Sequence, residues 1–303
     1  MFIRKLIPVL ILASLLLAAC GRSSSTASNS GLKVIASTTF LTDLAQNVAG
    51  DRLQVESLLP PGADPHEYQA VPSDVQKVAE SMAVIVNGLD YDQFIQPLLD
   101  NAGGARLVII ASDGLEARQM EEETGETVTD PHMWMVPTRV IKYVENIRDG
   151  LTEADPDGVD VYKANADAYI FQLKELDTWI TEQVAQIPQD RRLLVTNHDS
   201  LGYFAEDYGF TVIGTIVPGV SSEAAPSAQQ MAALIDEINS TGAPAVFLNT
   251  SDNPDLADQV AAETNITVVT DLYIETLSAS DGPAATYIDM MKYNVTQIVE
   301  VLK

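Results

Sequence analysis

Short apolar runs alternate with helical patterns from Lys33 to the end of the chain. In the first half, KVIAST (33–38), LQVESLLP (53–60), MAVIVNG (82–88) and RLVIIAS (106–112) are rich in Val, Ile and Leu and bounded by turn residues. Runs of that length and composition predict buried parallel strands. Helices are predicted between them over Leu41–Val48, over DVQKVAESM (74–82) behind an N-capping Ser73, and over Tyr91–Leu99. The second half repeats the scheme. Its strands are RLLVTNH (192–198), FTVIGTIV (210–217), AVFLNT (245–250) and ITVVTD (266–271). Its helices are predicted at Leu201–Tyr208, Pro226–Asn239, Pro254–Thr264 and Pro283–Leu302, each proline standing where a first helical turn tolerates it.

Between the halves, Tyr162, Ala166, Tyr169, Leu173, Leu176, Ile180, Val184 and Ile187 keep spacings of three and four. That is one long amphipathic helix over Val159–Ile187, ended by Pro188. The expected class is therefore α/β. An N-terminal βα lobe (33–157) and a C-terminal βα lobe (189–303), each with a parallel sheet, are joined by a linking helix (158–188).

The first 20 residues follow neither period. Arg4 and Lys5 precede an apolar run from Leu6 to Ala19, shorter than the roughly 20 residues of a spanning helix. They read as a signal peptide. Leu17-Ala18-Ala19-Cys20-Gly21 resembles a bacterial lipoprotein box, with Cys20 the lipidated residue. The Ser-rich stretch that follows (21–32) reads as a flexible tether. A body anchored through Cys20 to the extracytoplasmic face of the cell membrane is expected, and Cys20, being the sole cysteine, rules out an intrachain disulfide or a Cys-based zinc cluster.

Charge narrows the partners. Seventeen Lys and Arg against 43 Asp and Glu leave a formal −26, which disfavours nucleic acid and favours cations. Loss of Arg4 and Lys5 with the signal peptide takes this to −28. The specific chemistry lies with the three histidines. His66 follows the second predicted strand, His132 lies in the loop after the fourth, and His198 ends the first strand of the second lobe. Asp271 ends the last strand. Singly, each is as well explained as a hydrogen-bonded loop residue or a turn cap. Together, all four occupy carboxyl ends of strands, where open α/β sheets bind ligands, and each lobe supplies two. Three imidazoles and one carboxylate make a tetrahedral set suited to zinc.

The segments that carry these residues resemble a known family. GADPHEYQAVPSDVQKV with VIVNGLDYDQFI, DPHMWMVP, NHDSLGYFAEDYGF and VVTDLYIETL are similar to the four metal motifs of the cluster A-I solute-binding proteins, the zinc- and manganese-binding lipoproteins of bacterial ABC importers. The likeness spans Lys33 to Lys303. It implies two pseudo-symmetric lobes joined by a rigid helix, a metal between them held by His66, His132, His198 and Asp271, a permease partner and a monomer. A histidine at the third position, where manganese binders tend to carry glutamate, points to Zn2+ as the transported ligand, with Mn2+ as the alternative. Asn249 stands where relatives often place a glutamate and receives no role. The acidic stretch 116–130 lacks the histidines of many zinc members and reads as a solvated loop. Met133, Trp134 and Met135 are expected to pack around His132.

A zinc-dependent hydrolase is the competing reading, with Glu67 or Asp199 as general base. The absence of an HExxH motif and a fourth protein ligand that would close the coordination sphere speak against an enzyme. A binder of organic solutes would need an aromatic pocket, yet aromatic residues are only 6%.

Overall fold

The computed structural model describes residues 32–121 and 127–303. The signal segment, Cys20 and nearly all of the tether lie outside the described residues. The first sheet contains β1 (Lys33–Ala36), β2 (Gln54–Ser57), β3 (Ala83–Val86) and β4 (Leu107–Ile110), all parallel, in the order β2-β1-β3-β4. A two-stranded antiparallel ribbon follows, β5 (Gln119–Glu121) with β6 (Thr127–Thr129). The second sheet contains β7 (Leu193–Thr196), β8 (Thr211–Thr215), β9 (Ala245–Asn249) and β10 (Thr267–Leu272), again all parallel. Its order is β8-β7-β9-β10, the same as the first sheet's. In each lobe the chain reverses direction across the sheet beside the first strand, which creates the crevice where α/β sheets bind ligands.

All eight expected parallel strands form. Their alternation sends one face to each of two cores. Val34 and Ala36 enter the central core, whereas Ile35 joins Val84, Val86 and Leu98 on the outer side of the first sheet. In the second sheet Phe247 enters the central core, and Val246 and Leu248 face an outer cluster with Leu234 and Val260.

The helices are α1 (Thr39–Ala49), α2 (Pro72–Glu80), α3 (Ile95–Ala102), α4 (Pro137–Ala154), α5 (Val159–Val184), α6 (Gly202–Tyr208), α7 (Ala228–Thr241), α8 (Asp255–Thr264) and α9 (Tyr287–Leu302). The long helix α5 buries Tyr162, Ala166, Tyr169, Leu173, Leu176, Ile180 and Val184 against α1, α4 and α9. A large apolar side chain so buried contributes roughly 1.5–3 kcal/mol, against about 1–2 kcal/mol per residue for ordering backbone. Docking, rather than propensity, therefore holds the helix. The central core runs without a break from Val34 and Phe40 through Tyr162 and Leu173 to Phe247 and Met290. The linker is thus part of a core shared by both lobes, which argues against free hinging.

Several elements depart from the sequence expectations; helix α9, for one, begins at Tyr287 behind an N-capping Thr286 and not at Pro283. Helix α4 lies outside them, although Pro137 at its first turn and Val140, Tyr143, Val144, Ile147 and Leu151 on its buried face carry the helical signal. The stretch expected as a solvated loop contains the β5–β6 ribbon, whose three-residue strands are too short for alternation to reveal. Helix α3 starts four residues late because Leu89 and Asp90 take left-handed backbone (φ 57° and 61°) in a turn after β3. Among the described residues no helix is long and apolar enough to cross a membrane.

Candidate metal centre

Each sheet delivers side chains to the crevice by a different route. His198 lies two residues beyond β7, where its carbonyl accepts from Thr196 Oγ1 (2.6 Å) and from the Ser200 N–H (2.8 Å). His66 lies in the loop after β2, its N–H donating to Asp64 Oδ1 (2.8 Å). His132 follows β6 and opens the short 3-10 turn Met133–Met135. Glu275 lies three residues beyond β10. The Ile274 N–H donates to Asn249 Oδ1 (2.9 Å), Trp134 Nε1–H donates to the Ile274 carbonyl (2.7 Å), and the Leu277 N–H donates to Thr39 Oγ1 (2.8 Å). The Glu275 loop is thereby fastened to both lobes.

These contacts bring together His66, His132, His198 and Glu275, with one potential ligand atom from each lying within 4.8 Å of all the others. Glu275 Oε1 is 3.0 Å from His66 Nε2, 3.2 Å from His198 Nε2 and 3.6 Å from His132 Nε2, and the last two nitrogens are 3.3 Å apart. Four donors about 2.0–2.2 Å from a tetrahedral ion are separated from one another by roughly 3.3–3.6 Å. The four spacings of 3.0–3.6 Å lie close to that shell, the Glu275–His66 contact being the tightest. Neither oxygen of Glu275, nor Nε2 of His66, makes a hydrogen bond of good geometry, although all are buried. Groups so enclosed ordinarily find partners. Their lone pairs are thus available to a cation.

Asp271 is not among them. Strand β10 continues through Asp271 to Leu272, but its register shifts between Val269 and Leu272, so that Asp271 lies exposed and accepts from Tyr293 Oη (2.6 Å). The carboxylate that faces the three imidazoles is that of Glu275, four residues on. Both acids stand in the same motif, VVTDLYIETL, and no local signal separates them. Asn249, to which no role was given, holds the backbone next to Glu275.

The surroundings tune the histidines differently. Asp130 Oδ1 accepts from the His132 N–H (2.9 Å) and faces its Nδ1 at 2.9 Å, while Oδ2 is paired with Arg118. With the Nδ1 proton assigned to Asp130, Nε2 is directed at the centre, as outer-shell carboxylates do for metal-binding imidazoles. Burial alone would lower the His132 pKa, but Asp130 and Glu275 outweigh it and push it up to about 9. For Glu275, burial works upward and is overcome by the His66 charge and the facing imidazoles, which hold its carboxyl well below the usual range. His198 is pulled below its ordinary value chiefly by burial, and its Nδ1 has no hydrogen-bond partner. Arg118 reaches this network because Gly202 has no side chain: a Cβ there would collide with its Nη1.

Trp134 stacks on Phe40 (centroids 4.6 Å) and lies beside His132 (5.1 Å) and Tyr91 (4.7 Å). It both packs and walls off the centre. A cavity of about 620 Å³ between the lobes, lined in part by Pro65, Tyr91, Phe94, Thr129 and Ser221, reaches the cluster from the His66 side. His66 is the one member with a partly accessible side chain, at 9%. Across this mouth, Ser222 Oγ donates to Asp64 Oδ2 (2.7 Å). Glu67, a candidate hydrolytic base, is exposed and outside the cluster. Asp199 is mostly buried, 3.9 Å from Arg118, and likewise not among the converging atoms.

Residues 34–301 match the family described as zinc-uptake complex component A, periplasmic. The chain is 36% identical over 296 residues to the manganese-binding lipoprotein MntA of Halalkalibacterium halodurans, covering 97% of both sequences. Among solved structures, it resembles the Mn-bound periplasmic metal-binding protein from Candidatus Liberibacter asiaticus (TM-score 0.77, 29% identity, 90% of this chain and 100% of that one). It also resembles the periplasmic zinc-binding protein TroA of Treponema pallidum (TM-score 0.82, 25% identity, 89% and 99%).

Proposed function

Because the chain belongs to the family of periplasmic zinc-uptake component A proteins, the metal-binding solute-binding proteins of ABC transporters, we propose that it captures Zn2+ between its lobes and delivers it to an ABC permease. The ligands in this reading are His66, His132, His198 and Glu275. The observation that carries it is the 3.0–3.6 Å spacing of one carboxylate oxygen from three imidazole nitrogens in a buried crevice. Three nitrogens and one oxygen favour a borderline-soft ion, and zinc outranks manganese in intrinsic affinity for such a set. Mn2+ is the second reading, favoured by the names of the manganese-binding relatives. The family is one of solute-binding proteins, so the hydrolase reading is set aside.

In this reading Cys20 carries the lipid and the body works as a monomer outside the cytoplasmic membrane. The metal enters past His66, the accessible ligand, and the buried ligands complete its shell. The shared core limits closure to loop adjustments around the mouth.

Titration of the chelator-stripped protein with Zn2+ and, separately, Mn2+ tests this. Binding to the folded state raises Tm with ligand concentration. A larger rise with Zn2+ than with Mn2+ at equal free concentration supports zinc, the reverse order selects manganese, and no rise with either ion defeats both. Mass spectrometry of the membrane-extracted protein tests the lipid on Cys20.

A further inference from the structure

The two ligands supplied by the second lobe come from strands that do not touch. His198 follows β7 and Glu275 follows β10, and β9 lies between these strands. A residue at the carboxyl end of β9 is therefore placed to reach both. Asp252, in the turn after β9, does so. Its Oδ1 accepts from Asn197 Nδ2 (3.0 Å), and Asn197 immediately precedes His198. Its Oδ2 accepts from the backbone N–H of Asn249 (2.6 Å), and the side-chain oxygen of Asn249 accepts from the N–H of Ile274, which immediately precedes Glu275. Asn249 is itself fixed by donating to Ser251 Oγ and by accepting at its carbonyl from the Asp252 N–H (3.0 Å). One carboxylate thus lies one hydrogen bond from the His198 segment and two from the Glu275 segment, without itself joining the four converging donors. Burial opposes the charge and pushes the Asp252 carboxyl up to about 7, so the group stands where its ionised form is penalised.

We infer that Asp252 is a positioning residue that sets the separation of His198 and Glu275 and thereby the preference of the centre for a small, four-coordinate cation. The inference rests on the metal-capture reading above. Loosening this brace lets the two ligands drift apart. That relaxes the shell toward larger ions with more ligands, while both ligands remain present.

Co2+, which reports coordination number through its visible absorption, is the probe, with Zn2+ and Mn2+ affinities measured on the same full-length samples. Asp252→Ala removes both acceptors. Asp252→Asn keeps the volume and one of them, so it carries the test should the alanine variant fail to fold. The expected result is a loss of zinc affinity of about 10–100-fold, the range for outer-shell groups. It should come with a weaker, blue-shifted Co2+ band and a lower Zn2+-to-Mn2+ affinity ratio. The double variant D252N/N197D restores the donor–acceptor pair with its polarity reversed and should recover much of the band and the ratio. Val260→Ala, which opens space in the outer cluster of the same lobe, controls for plain destabilisation and should lower Tm without moving the band. An Asp252→Asn protein that loses Tm yet keeps the wild-type band and ratio overturns the inference. A wild-type protein that binds none of the three ions overturns the metal reading itself, a failure visible before any variant is made.

Discussion

The two lobes share one strand order but prepare their histidines in opposite ways. In the first lobe, His132 is clamped by Asp130, which is backed by Arg118, and Asp130 together with Glu275 pushes the imidazole pKa up to about 9. In the second, His198 has no partner at Nδ1 and burial pulls its pKa down, so it is neutral and ready to donate. Topology delivers a side chain to the crevice, but the residues around it decide whether it arrives carrying a proton. In the metal-capture reading, His132 gives up a proton on binding and His198 does not.

The largest expected effect concerns which acid completes the centre. Glu275→Ala should cost more zinc affinity than the roughly 10–100-fold typical of outer-shell changes, because it removes a donor. Asp271→Ala should leave affinity unchanged and stability within about 0.5 kcal/mol, as exposed substitutions usually do. Calorimetric titration of both variants checks this, and the reverse ranking would restore Asp271 as the ligand.

Next comes the clamp. Asp130→Asn removes the anion that orients His132 and should weaken zinc binding by about 10–100-fold. The clamp also sets a pH dependence. At pH 7.5 metal-free His132 holds a proton that zinc must displace, so binding should release about one proton, measurable by calorimetry in buffers of different ionisation enthalpy. In Asp130→Asn that release should fall. The direction for stability follows from the raised pKa. The His132 contribution to the metal-free fold is complete below its unfolded value of about 6.5 and is lost as pH rises through about 9. The Tm gap between metal-loaded and metal-free protein should therefore widen over that window. A constant gap would mean that His132 is neutral before binding, and the contrast between the lobes would disappear.

The smallest effect is expected at the mouth. Ser222→Ala removes one hydrogen bond to Asp64, worth about 0.5–1.5 kcal/mol. It should speed zinc exchange a few-fold, read by stopped-flow with a fluorescent chelator, and leave the equilibrium nearly unchanged.

Much of this arrangement is legible without coordinates. The eight parallel strands are marked by apolar runs, the long helix by its spacing of three and four, and the histidines by their places after strands. Helix α4 carries the same spacing signal in Val140, Tyr143, Val144, Ile147 and Leu151, yet it stands outside the expected elements. The β5–β6 ribbon carries almost none, since three residues per strand cannot establish a period.

The sequence by itself determined that two βα lobes surround a crevice and that three scarce imidazoles lie at its rim, because periodicity and strand exits are local properties. Tertiary structure alone brings Glu275 and not Asp271 beside the imidazoles. These acids share one motif, and nothing local distinguishes them. The difference arises where β10 stops and where its loop is caught, by Asn249 from the neighbouring strand, by Trp134 and Thr39 from the opposite lobe. The protonation contrast between His132 and His198 has the same origin: burial and facing charges are fixed by residues far away in the chain.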